Sequence, residues 1–569
     1  MNTAKKGIRH IAKICALKGV RHAIISPGSR NAPIIAAFLA EKSISCTSIV
    51  DERSAAFFAL GIAQQERNPV ALICTSGSAV LNYAPAIAEA YYQKIPLIIL
   101  SADRPHEWID QGENQSIVQQ DIYRNYIKKS VELPVESIHE KDEWYSNRLV
   151  NEAINCAVYP EAGPVHINIP LREPLYDLVD ISDEELPKLI HAHPFESILD
   201  ADVLKSLQTQ WIQAKKKMII VGAQSNDEAL NEILSQISKD ESTIILCEQI
   251  SNIHIDSSTY ISMVDACIES ITQLPLPTFK PDIVITIGGG IVSKKLKFYF
   301  RKNQMQHWHV SKTAEHWDTF QNLSRVIQQS ASSFLHALYE NQPSAISSDY
   351  RASWLKLQGK ANQLHQQYLT SLQFCDFKVF EYVLSALPAK SNIHFGNSTP
   401  IRYANLFLQS TSKSFSINAN RGVSGIDGVT STASGAAFAH PQQLTFCITG
   451  DIAFLYDSNA LWNEHLSKNL RIIIINNGGG NIFKIIPGPT QIERYEEYIE
   501  TKQHVDIESL SKAYHVDFFT CNDALSLEKV FRTFIDNAHA AILEIKTDSD
   551  YSASTLKNYF NYLITHYEQ

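Results

Sequence analysis

The sequence lacks the cysteine patterns that would indicate a disulfide framework or a zinc site. Nine cysteines are scattered along the 569 residues, and no two of them form a CxxC pair. Most lie within apolar segments, as Cys447 does in LTFCITG. Scattered thiols in apolar segments are typical of reduced, buried cysteines in cytoplasmic proteins, and we expect that state and location here.

Long apolar runs and an excess of basic charge are also missing. No apolar stretch approaches the roughly 20 residues that cross a bilayer, and the N-terminal segment has no continuous apolar core of the kind found in signal peptides. The formal net charge is −10 and the pI is near 6.1, whereas nucleic-acid binders show a basic stripe. We expect neither membrane insertion nor a nucleic-acid partner.

What the sequence does contain is an alternation of short apolar strands and helical patterns in three blocks. The predicted strands are HAIIS, SIV, VALICTS, PLIILSAD and VHINIP, then KKMIIVGAQ, TIILCE and DIVITIGGG, then NIHFGNS, SFSINAN, LTFCITGD, RIIIINN and AAILEIKT. This alternation predicts an α/β protein of three doubly wound parallel-sheet domains. We place them at residues 1–185, 186–350 and 351–569. The boundaries lie near the passages REPLYDLVDISDEELPKL and ENQPSAISSDYRASW.

Two strand ends in the third block carry polar side chains where a ligand would bind. LTFCITGD ends in Asp451, a helical pattern DSNALWNEHLSKN follows, and RIIIIN then leads into Asn477 and glycines 478–480. Ligands bind outside the carboxyl ends of parallel strands. Carboxylate, amide and main-chain oxygens suit Mg²⁺, which is often shared with substrate phosphates. A tight turn capped by asparagine would also explain NNGG taken alone.

This GD…NN pair resembles the diphosphate-binding motif of thiamine diphosphate enzymes. The resemblance implies that Asp451, Asn477 and the carbonyl of Gly479 hold Mg²⁺, or Mn²⁺, against the diphosphate of the cofactor. GDIA replaces the more common GDG, but the missing glycine is not a ligand. It also implies that the first domain binds the pyrimidine, that the third binds the diphosphate, and that a central domain lies between them.

The segment SIVDERSAAFFALGIA offers the acid that a thiamine enzyme needs to activate its cofactor. Asp51 and Glu52 follow a predicted strand and precede a helix. Carboxylates at a helix N-terminus are also favoured for their own sake. By resemblance, Glu52 is the acid that bonds to the aminopyrimidine ring. It is supplied by the opposite subunit, which implies a homodimer or a dimer of dimers.

Several cations follow other predicted strands and indicate a substrate pair with multiple carboxylates. They and their polar neighbours are Ser29 and Arg30 in SPGSR, Arg104 in ADRP, Asn114 and Gln115 in GENQ, Lys294 in SKK, Arg402 after GNS, and Arg421 in NRGVSGIDG. A surface ion pair would explain any single arginine. Their joint placement at strand ends favours a binding site.

Together these segments resemble the 2-succinyl-5-enolpyruvyl-6-hydroxy-3-cyclohexene-1-carboxylate synthase family, transferases of menaquinone biosynthesis. The resemblance implies decarboxylation of 2-oxoglutarate and addition of the resulting succinyl carbanion equivalent to isochorismate. Arg402 and Arg421 would then hold 2-oxoglutarate. Ser29, Arg30, Arg104, Asn114, Gln115 and Lys294 would orient isochorismate and intermediates. Ser398, Ser424, Ile426 and Phe483 would contact the cofactor.

The closest alternative is another thiamine diphosphate carboligase or decarboxylase of the acetolactate synthase type. Such an enzyme would use pyruvate and need fewer cations, and NRGVSGIDG with SPGSR argues against it. A protein that keeps this fold without catalysis could dispense with Glu52. VITIGGG lacks the GxGxxG fingerprint, so we expect no flavin or nicotinamide.

Overall fold

The chain forms three six-stranded parallel sheets and one short antiparallel pair in the computed structural model. The structure describes residues 1–136, 139–181, 185–271, 276–340, 347–407 and 413–567. Apolar side chains pack on both faces of each large sheet. In β2, for example, the neighbouring residues Ile24 and Ile25 point to opposite faces and belong to two different hydrophobic clusters. The predicted class, α/β with three doubly wound parallel sheets, is confirmed.

The first sheet has the strand order β3-β2-β4-β5-β7-β6, so its first strand in the chain, β2, lies second from one edge. The strands of this region are β1 Asn2–Thr3, β2 His22–Ile25, β3 Ser45–Ser48, β4 Val70–Cys74, β5 Leu97–Asp103, β6 Lys129–Glu132, β7 Val165–Pro170 and β8 Leu178–Val179. The helices are α1 Lys6–Leu17, α2 Ala32–Ala40, α3 Glu52–Glu66, α4 Ser78–Asn82, α5 Ala84–Gln93 and α6 Glu140–Val158. β1 and β8 pair with each other and tie the N-terminus to the passage after the sheet.

The central sheet has the order β11-β10-β9-β12-β13-β14. Its strands are β9 Lys217–Val221, β10 Thr243–Cys247, β11 Tyr260–Ile261, β12 Ile283–Ile287, β13 Gln306–Ser311 and β14 Leu323–Gln328. The helices of this region are α7 Ala201–Gln213, α8 Glu228–Ile237, α9 Val264–Ile271, α10 Leu276–Phe279, α11 Lys294–Arg301, α12 Ala331–Tyr339 and α13 Tyr350–Thr370.

The third sheet has the order β16-β15-β17-β18-β20-β19. Its strands are β15 Asn392–Phe395, β16 Ser416–Ala419, β17 Thr445–Gly450, β18 Leu470–Asn476, β19 Asp517–Cys521 and β20 Ala541–Lys546. Its helices are α14 Asp376–Ala386, α15 Thr399–Phe407, α16 Val429–Ala439, α17 Asp451–Tyr456, α18 Ile482–Ile485, α19 Ile507–Ala513, α20 Ala524–Ile535 and α21 Ser549–His566. β18 is buried along its whole length except at its last residue, because it lies between two other strands and under helices.

Two local predictions are wrong in detail. The predicted strand SIV lies three residues too late, since β3 ends at Ser48 and residues 49–50 already lead into the helix. The helix predicted over DSNALWNEHLSKN begins earlier, at Asp451, and gives way to a 3₁₀ turn at Ser458–Leu461 and then to irregular chain. Residues 182–184 and 341–346 of the two predicted boundary passages lie outside the described residues, and the boundaries remain predictions.

Helices α3 and α16 pack against each other without room for side chains at two glycines. A Cβ added to Gly61 would lie 2.1 Å from the Thr432 carbonyl oxygen, and one added to Gly435 would lie 2.0 Å from that of Phe58. Contacts this short are possible only for glycine, so the first and third sheets are held together through direct contact of helix backbones.

Gly435→Ala is therefore expected to destabilise the protein by about 1–3 kcal/mol, because the added methyl group must push two backbones apart. The measurement is the free energy of urea unfolding. The matched control is Gly359→Ala, in the middle of α13, where an added Cβ meets no atom within 4 Å. That change should be neutral or stabilising by up to about 1 kcal/mol. Equal effects of the two substitutions would contradict the packing argument.

The cysteines match the expectation of isolated thiols. All nine are free, and seven of them are buried. Burial raises the pKa of Cys15 to about 12 and that of Cys447 still further, which keeps these thiols protonated and unreactive. No helix in the described part of the chain is both long and apolar enough to cross a membrane.

Candidate active site

The carboxyl ends of four adjacent strands in the third sheet carry the predicted residues in spatial order. Arg421 follows β16, Ser398 and Arg402 follow β15, Asp451 follows β17, and Asn477 follows β18. Neighbouring strands lie about 4.8 Å apart, so the row extends over about 14 Å. It has two arginines at one end and two hard oxygen donors at the other.

Asp451 is a buried carboxylate at the point where β17 becomes α17. Its side chain is only 2% exposed. Burial raises its pKa to about 6, although Gln503 donates a hydrogen bond of 2.9 Å from Nε2 to Oδ2. A buried carboxylate is costly unless a cation or donor compensates it. A divalent cation at this position would supply that compensation.

The amide of Asn477 is oriented by a second buried acid, Asp376, at the start of α14. Asn477 Nδ2 donates to Asp376 Oδ2 at 2.9 Å, while Thr547 and Ser552 donate to the other carboxylate oxygen. Among the described residues, none donates a hydrogen bond to Oδ1 of Asn477. The amide nitrogen is thus used internally and the oxygen is left for a ligand. Outer hydrogen bonds orient metal ligands in this way in many proteins.

Asn476 differs from its neighbour because both ends of its amide are occupied. Its Nδ2 donates to Glu544 at 2.6 Å, and its Oδ1 accepts from the backbone N–H of Gly478 at 3.1 Å. These contacts distinguish the two adjacent asparagines, because an amide oxygen without a donor among the described residues is found at Asn477 and not at Asn476.

The glycine turn after β18 leaves room for an anion. Gly478 and Gly479 have φ of 79° and 154°, which only glycine adopts readily. A Cβ on Gly478 or Gly450 would meet nothing within 4 Å, so both strand ends face open space. The Gly479 carbonyl accepts from the Asn481 N–H at 2.9 Å and keeps its second lone pair. The residues present fit a metal-bound diphosphate.

No group of three or more His, Cys, Asp and Glu side chains in the described part of the chain could hold a metal ion. The candidate metal site is of another kind, since it combines one carboxylate with an amide oxygen and a main-chain carbonyl. That donor set is typical of Mg²⁺ bound together with substrate phosphates.

At the other end of the row, Arg402 and Arg421 lie close enough to repel each other. Burial, and then the charge of Arg402, lower the pKa of Arg421. Burial also lowers the pKa of Arg402. Glu248 and Asp265, both from the central region, are the nearby negative charges that oppose this effect at Arg402. Two partly buried guanidinium groups at neighbouring strand ends are typical of a site for an anion with more than one carboxylate.

Glu248 also fixes the loop before α11. Its two carboxylate oxygens accept the backbone N–H groups of Val292 and Ser293, each at 2.6 Å. Lys294, the predicted ligand, is the exposed first residue of α11. Lys297, one turn later, is more enclosed, and burial lowers its pKa while Glu248 opposes the effect. Lys297 is a further candidate for binding a substrate anion. The sequence pattern did not single it out, although it lies close after SKK.

The predicted residues of the first sheet form a second cluster. Arg30 is buried and donates to the Leu171 carbonyl at 2.9 Å, and burial followed by the charge of Arg104 lowers its pKa. Arg104 donates from Nε to the Asn114 carbonyl at 2.9 Å. Ser29, next to Arg30 in the chain, and Gln115, next to Asn114, are both exposed. The Ser29 hydroxyl is hydrogen-bonded to the Tyr176 hydroxyl at 2.9 Å.

Glu52 is the first residue of α3 and is partly exposed. It accepts a hydrogen bond of 3.3 Å from Asn82 Nδ2. The residues on either side of it are fixed to the third domain, since Asn459 donates to Asp51 at 2.6 Å and Arg53 donates to the Tyr456 carbonyl at 2.7 Å. Glu52 is thus held in place by its neighbours while its own carboxylate stays accessible.

Four predicted cofactor contacts lie on strained or tightly packed segments. Ser398 and Ser424 have φ of 76° and 70°, a conformation that costs a non-glycine residue about 1–3 kcal/mol. Ile426 is partly buried in the same loop as Ser424, and Phe483 packs over Gly480. Backbone strain of this kind is concentrated at functional sites.

Comparison with known proteins shows the class of enzyme. A family model described as "Thiamine pyrophosphate enzyme, N-terminal TPP binding domain" matches residues 5–122, and "Thiamine pyrophosphate enzyme, C-terminal TPP binding domain" matches residues 402–545. The first and third domains are therefore those of a thiamine diphosphate enzyme.

Curated relatives define the family more narrowly. The chain is 40% identical to 2-succinyl-5-enolpyruvyl-6-hydroxy-3-cyclohexene-1-carboxylate synthase of Flavobacterium psychrophilum, over 97% of this chain and 98% of the relative. It is 39% identical to that of Christiangramia forsetii, over 98% of each chain, and 36% identical to that of Porphyromonas gingivalis, over 98% and 97%. The chain belongs to this synthase family.

Proposed function

We propose that this protein is a thiamine diphosphate- and Mg²⁺-dependent transferase of menaquinone biosynthesis. It decarboxylates 2-oxoglutarate and adds the resulting succinyl carbanion equivalent to isochorismate, giving 2-succinyl-5-enolpyruvyl-6-hydroxy-3-cyclohexene-1-carboxylate. The observation that carries the proposal is that Arg402 and Arg421 follow neighbouring strands at the carboxyl edge of the third sheet, where the charge of Arg402 lowers the pKa of Arg421. A pyruvate-specific enzyme has a single carboxylate to bind and does not need this pair.

The chain's own residues would hold the cofactor at two places. Asp451, Asn477 and the Gly479 carbonyl would bind Mg²⁺, or Mn²⁺, on the diphosphate. Glu52 would share a proton with a ring nitrogen of the aminopyrimidine. Thiamine diphosphate supplies the electron sink that makes decarboxylation of a 2-oxo acid possible.

The arginines would bind and orient the two substrates. Arg402 and Arg421 would pair with the carboxylates of 2-oxoglutarate, and their charge would be only partly neutralised by Glu248 before the substrate binds. Arg30 and Arg104, with Ser29, Asn114, Gln115 and Lys294, would hold isochorismate. A bound anion relieves the repulsion within each arginine pair, so the substrate gains affinity from charges already gathered there.

The active form would be a homodimer or a dimer of dimers, in which the first domain of one chain faces the third domain of the other. Supporting this, large apolar side chains are exposed near the Glu52 end of α3 and at or after the last residue of α17, namely Val50, Leu81, Tyr456 and Trp462. Light scattering after size exclusion, at several protein concentrations, measures the mass of the particle. A monomer that retains full activity would contradict this arrangement.

The test of the function is a spectrophotometric assay of isochorismate loss, with thiamine diphosphate, Mg²⁺ and 2-oxoglutarate present together or singly omitted. Loss that requires all three supports the proposal. Release of CO₂ from pyruvate with isochorismate left intact would favour an acetolactate-synthase-type reaction instead. No turnover with the cofactor bound would favour a protein without catalysis.

Arg402→Ala is expected to raise the KM for 2-oxoglutarate about tenfold to a hundredfold, because a charge-assisted hydrogen bond to a carboxylate is lost. The KM for isochorismate should change much less. Steady-state kinetics with each substrate varied in turn makes the measurement. The control is Arg532→Ala, an exposed arginine on α20. An unchanged KM for 2-oxoglutarate would remove Arg402 from this role.

A further inference from the structure

A buried glutamate of the first domain binds the loop that carries three of the candidate site residues. Glu89 lies on α5 and is 2% exposed. Its carboxylate accepts the backbone N–H groups of Gly422 at 2.6 Å, Val423 at 2.7 Å and Ser424 at 3.4 Å. Three successive N–H groups thus converge on one carboxylate from another domain. Such charge-assisted bonds are about twice as strong as neutral ones.

The fit between the two segments leaves little freedom. Gln93, one turn later on α5, donates to Glu89 at 2.5 Å and holds the carboxylate in place. A Cβ on Gly422 would lie 2.7 Å from the Glu89 carbonyl oxygen, so the loop backbone lies directly against α5. Position 422 therefore requires glycine for space rather than for its φ angle.

The opposite side of the loop faces the candidate active site. Asn397, which follows β15, donates to the carbonyls of Asn420 and Gly425 at 2.7 and 2.6 Å. Arg421 in turn donates to Asn397 Oδ1 at 3.0 Å. The loop is thus held between Glu89 behind it and the strand end in front of it. This arrangement determines where the Arg421 side chain and the strained Ser424 lie.

We propose that Glu89 is a positioning residue, which holds the 420–426 loop so that Arg421 can bind 2-oxoglutarate and Ser424 and Ile426 can contact the cofactor. The inference rests on the function proposed above and deepens it. Glu89 touches neither substrate nor cofactor and acts through the loop. Substrate binding therefore requires that the first domain packs correctly against the third domain of the same chain.

The experiment compares Glu89→Gln with the matched control Glu66→Gln. Glu66 is also a largely buried helical carboxylate of the first domain, but its partner is His22. Gln at position 89 places an NH₂ group where only acceptors fit, opposite three N–H donors. Hydrogen–deuterium exchange of peptides covering 420–426, the affinity for thiamine diphosphate and the KM for 2-oxoglutarate are measured on the intact protein.

In Glu89→Gln we expect faster exchange in this loop, and a weaker cofactor affinity or a raised 2-oxoglutarate KM by about tenfold to a hundredfold. Glu66→Gln should leave all three unchanged. Unchanged loop exchange would overturn the inference, and so would faster exchange with unchanged affinity and KM. If Glu89→Gln does not fold, Gly422→Ala is the second variant, because its added methyl group would push the loop away from α5. It should give the same faster loop exchange, with weaker cofactor affinity or a raised KM.

The two proposals can fail separately. If the wild-type protein does not consume 2-oxoglutarate, the proposed function fails at that step. Loop exchange and thiamine diphosphate affinity still decide the role of Glu89, because neither measurement requires turnover.

Discussion

Glu52→Gln is expected to bind thiamine diphosphate almost normally and to lose turnover by about 10²- to 10⁴-fold, the range in which a general acid or base contributes to catalysis. The amide has the same shape as the carboxyl group but cannot share a proton with the ring nitrogen. Because Glu52 is partly exposed and its hydrogen bond to Asn82 is long, the substitution should not disturb the fold. The measurements are cofactor affinity by calorimetry and kcat by the isochorismate assay.

The matched control is Glu152→Gln, the same change at another partly exposed glutamate on a helix of the first domain. Glu152 lies on α6 and pairs with Lys129 and Arg148. Exposed ion pairs of this kind contribute at most about 1 kcal/mol, so the fold and the activity should be largely retained. Near-normal turnover in Glu52→Gln would take the proton-sharing role away from Glu52.

Asp451→Asn is expected to lower the affinity for thiamine diphosphate in the presence of Mg²⁺ by more than about a hundredfold. Removal of an outer partner alone typically costs 10- to 100-fold in metal affinity, and here the charged ligand itself is lost. Titration of the cofactor at several Mg²⁺ concentrations measures the effect. Mn²⁺, followed by electron paramagnetic resonance, reports the metal without any need for turnover.

The control for this substitution is Asp523→Asn at the exposed N-cap of α20, where the Asp523 side chain accepts the N–H groups of Leu525 and Ser526. An asparagine cap should leave cofactor and metal binding as they are. If Asp451→Asn binds Mn²⁺ and thiamine diphosphate as tightly as the wild type, the metal lies elsewhere.

The two variants together test whether the site is shared between chains. In a mixed dimer of Glu52→Gln and Asp451→Asn chains, one site receives both substitutions and the other receives neither. Random reassociation should then restore about a quarter of the wild-type activity, because half of the dimers are mixed and each has one intact site. If both residues served the same chain's site, no activity would return.

The strands and the strand-end residues could be predicted because both depend on local pattern. Runs such as RIIIINN are buried on two faces only in a parallel sheet, and the polar residue that ends such a run falls on the ligand-binding edge. This pattern singles out Asp451 and Asn477. The helix predicted over DSNALWNEHLSKN is misplaced. α17 begins at Asp451 and ends at Tyr456, directly before that segment starts.

The supporting residues could not be predicted, since their partners are remote in sequence. Glu89 meets its loop 333 residues later, and Asp376 meets Asn477 across 101 residues. Nothing in AIAEAYYQ or in CDFKVF marks these acids as buried. A single sequence shows which residues could react, whereas the acids that hold them in place become visible only when separate domains are brought together.

The glycine contact between α3 and α16 has a consequence for how two sites can be related. α3 begins at Glu52, and α16 follows the loop of Ser424 and Ile426. In the proposed dimer, Glu52 and the Ser424 loop of one chain belong to different sites. The close helix contact at Gly61 and Gly435 fixes the distance between these two segments. The helix pair is then a rigid spacer, and its dimensions set the position of Glu52 in one site and of the Ser424 loop in the other. A methyl group inserted into one chain would change the width of both clefts at once, so the two sites could not drift apart independently.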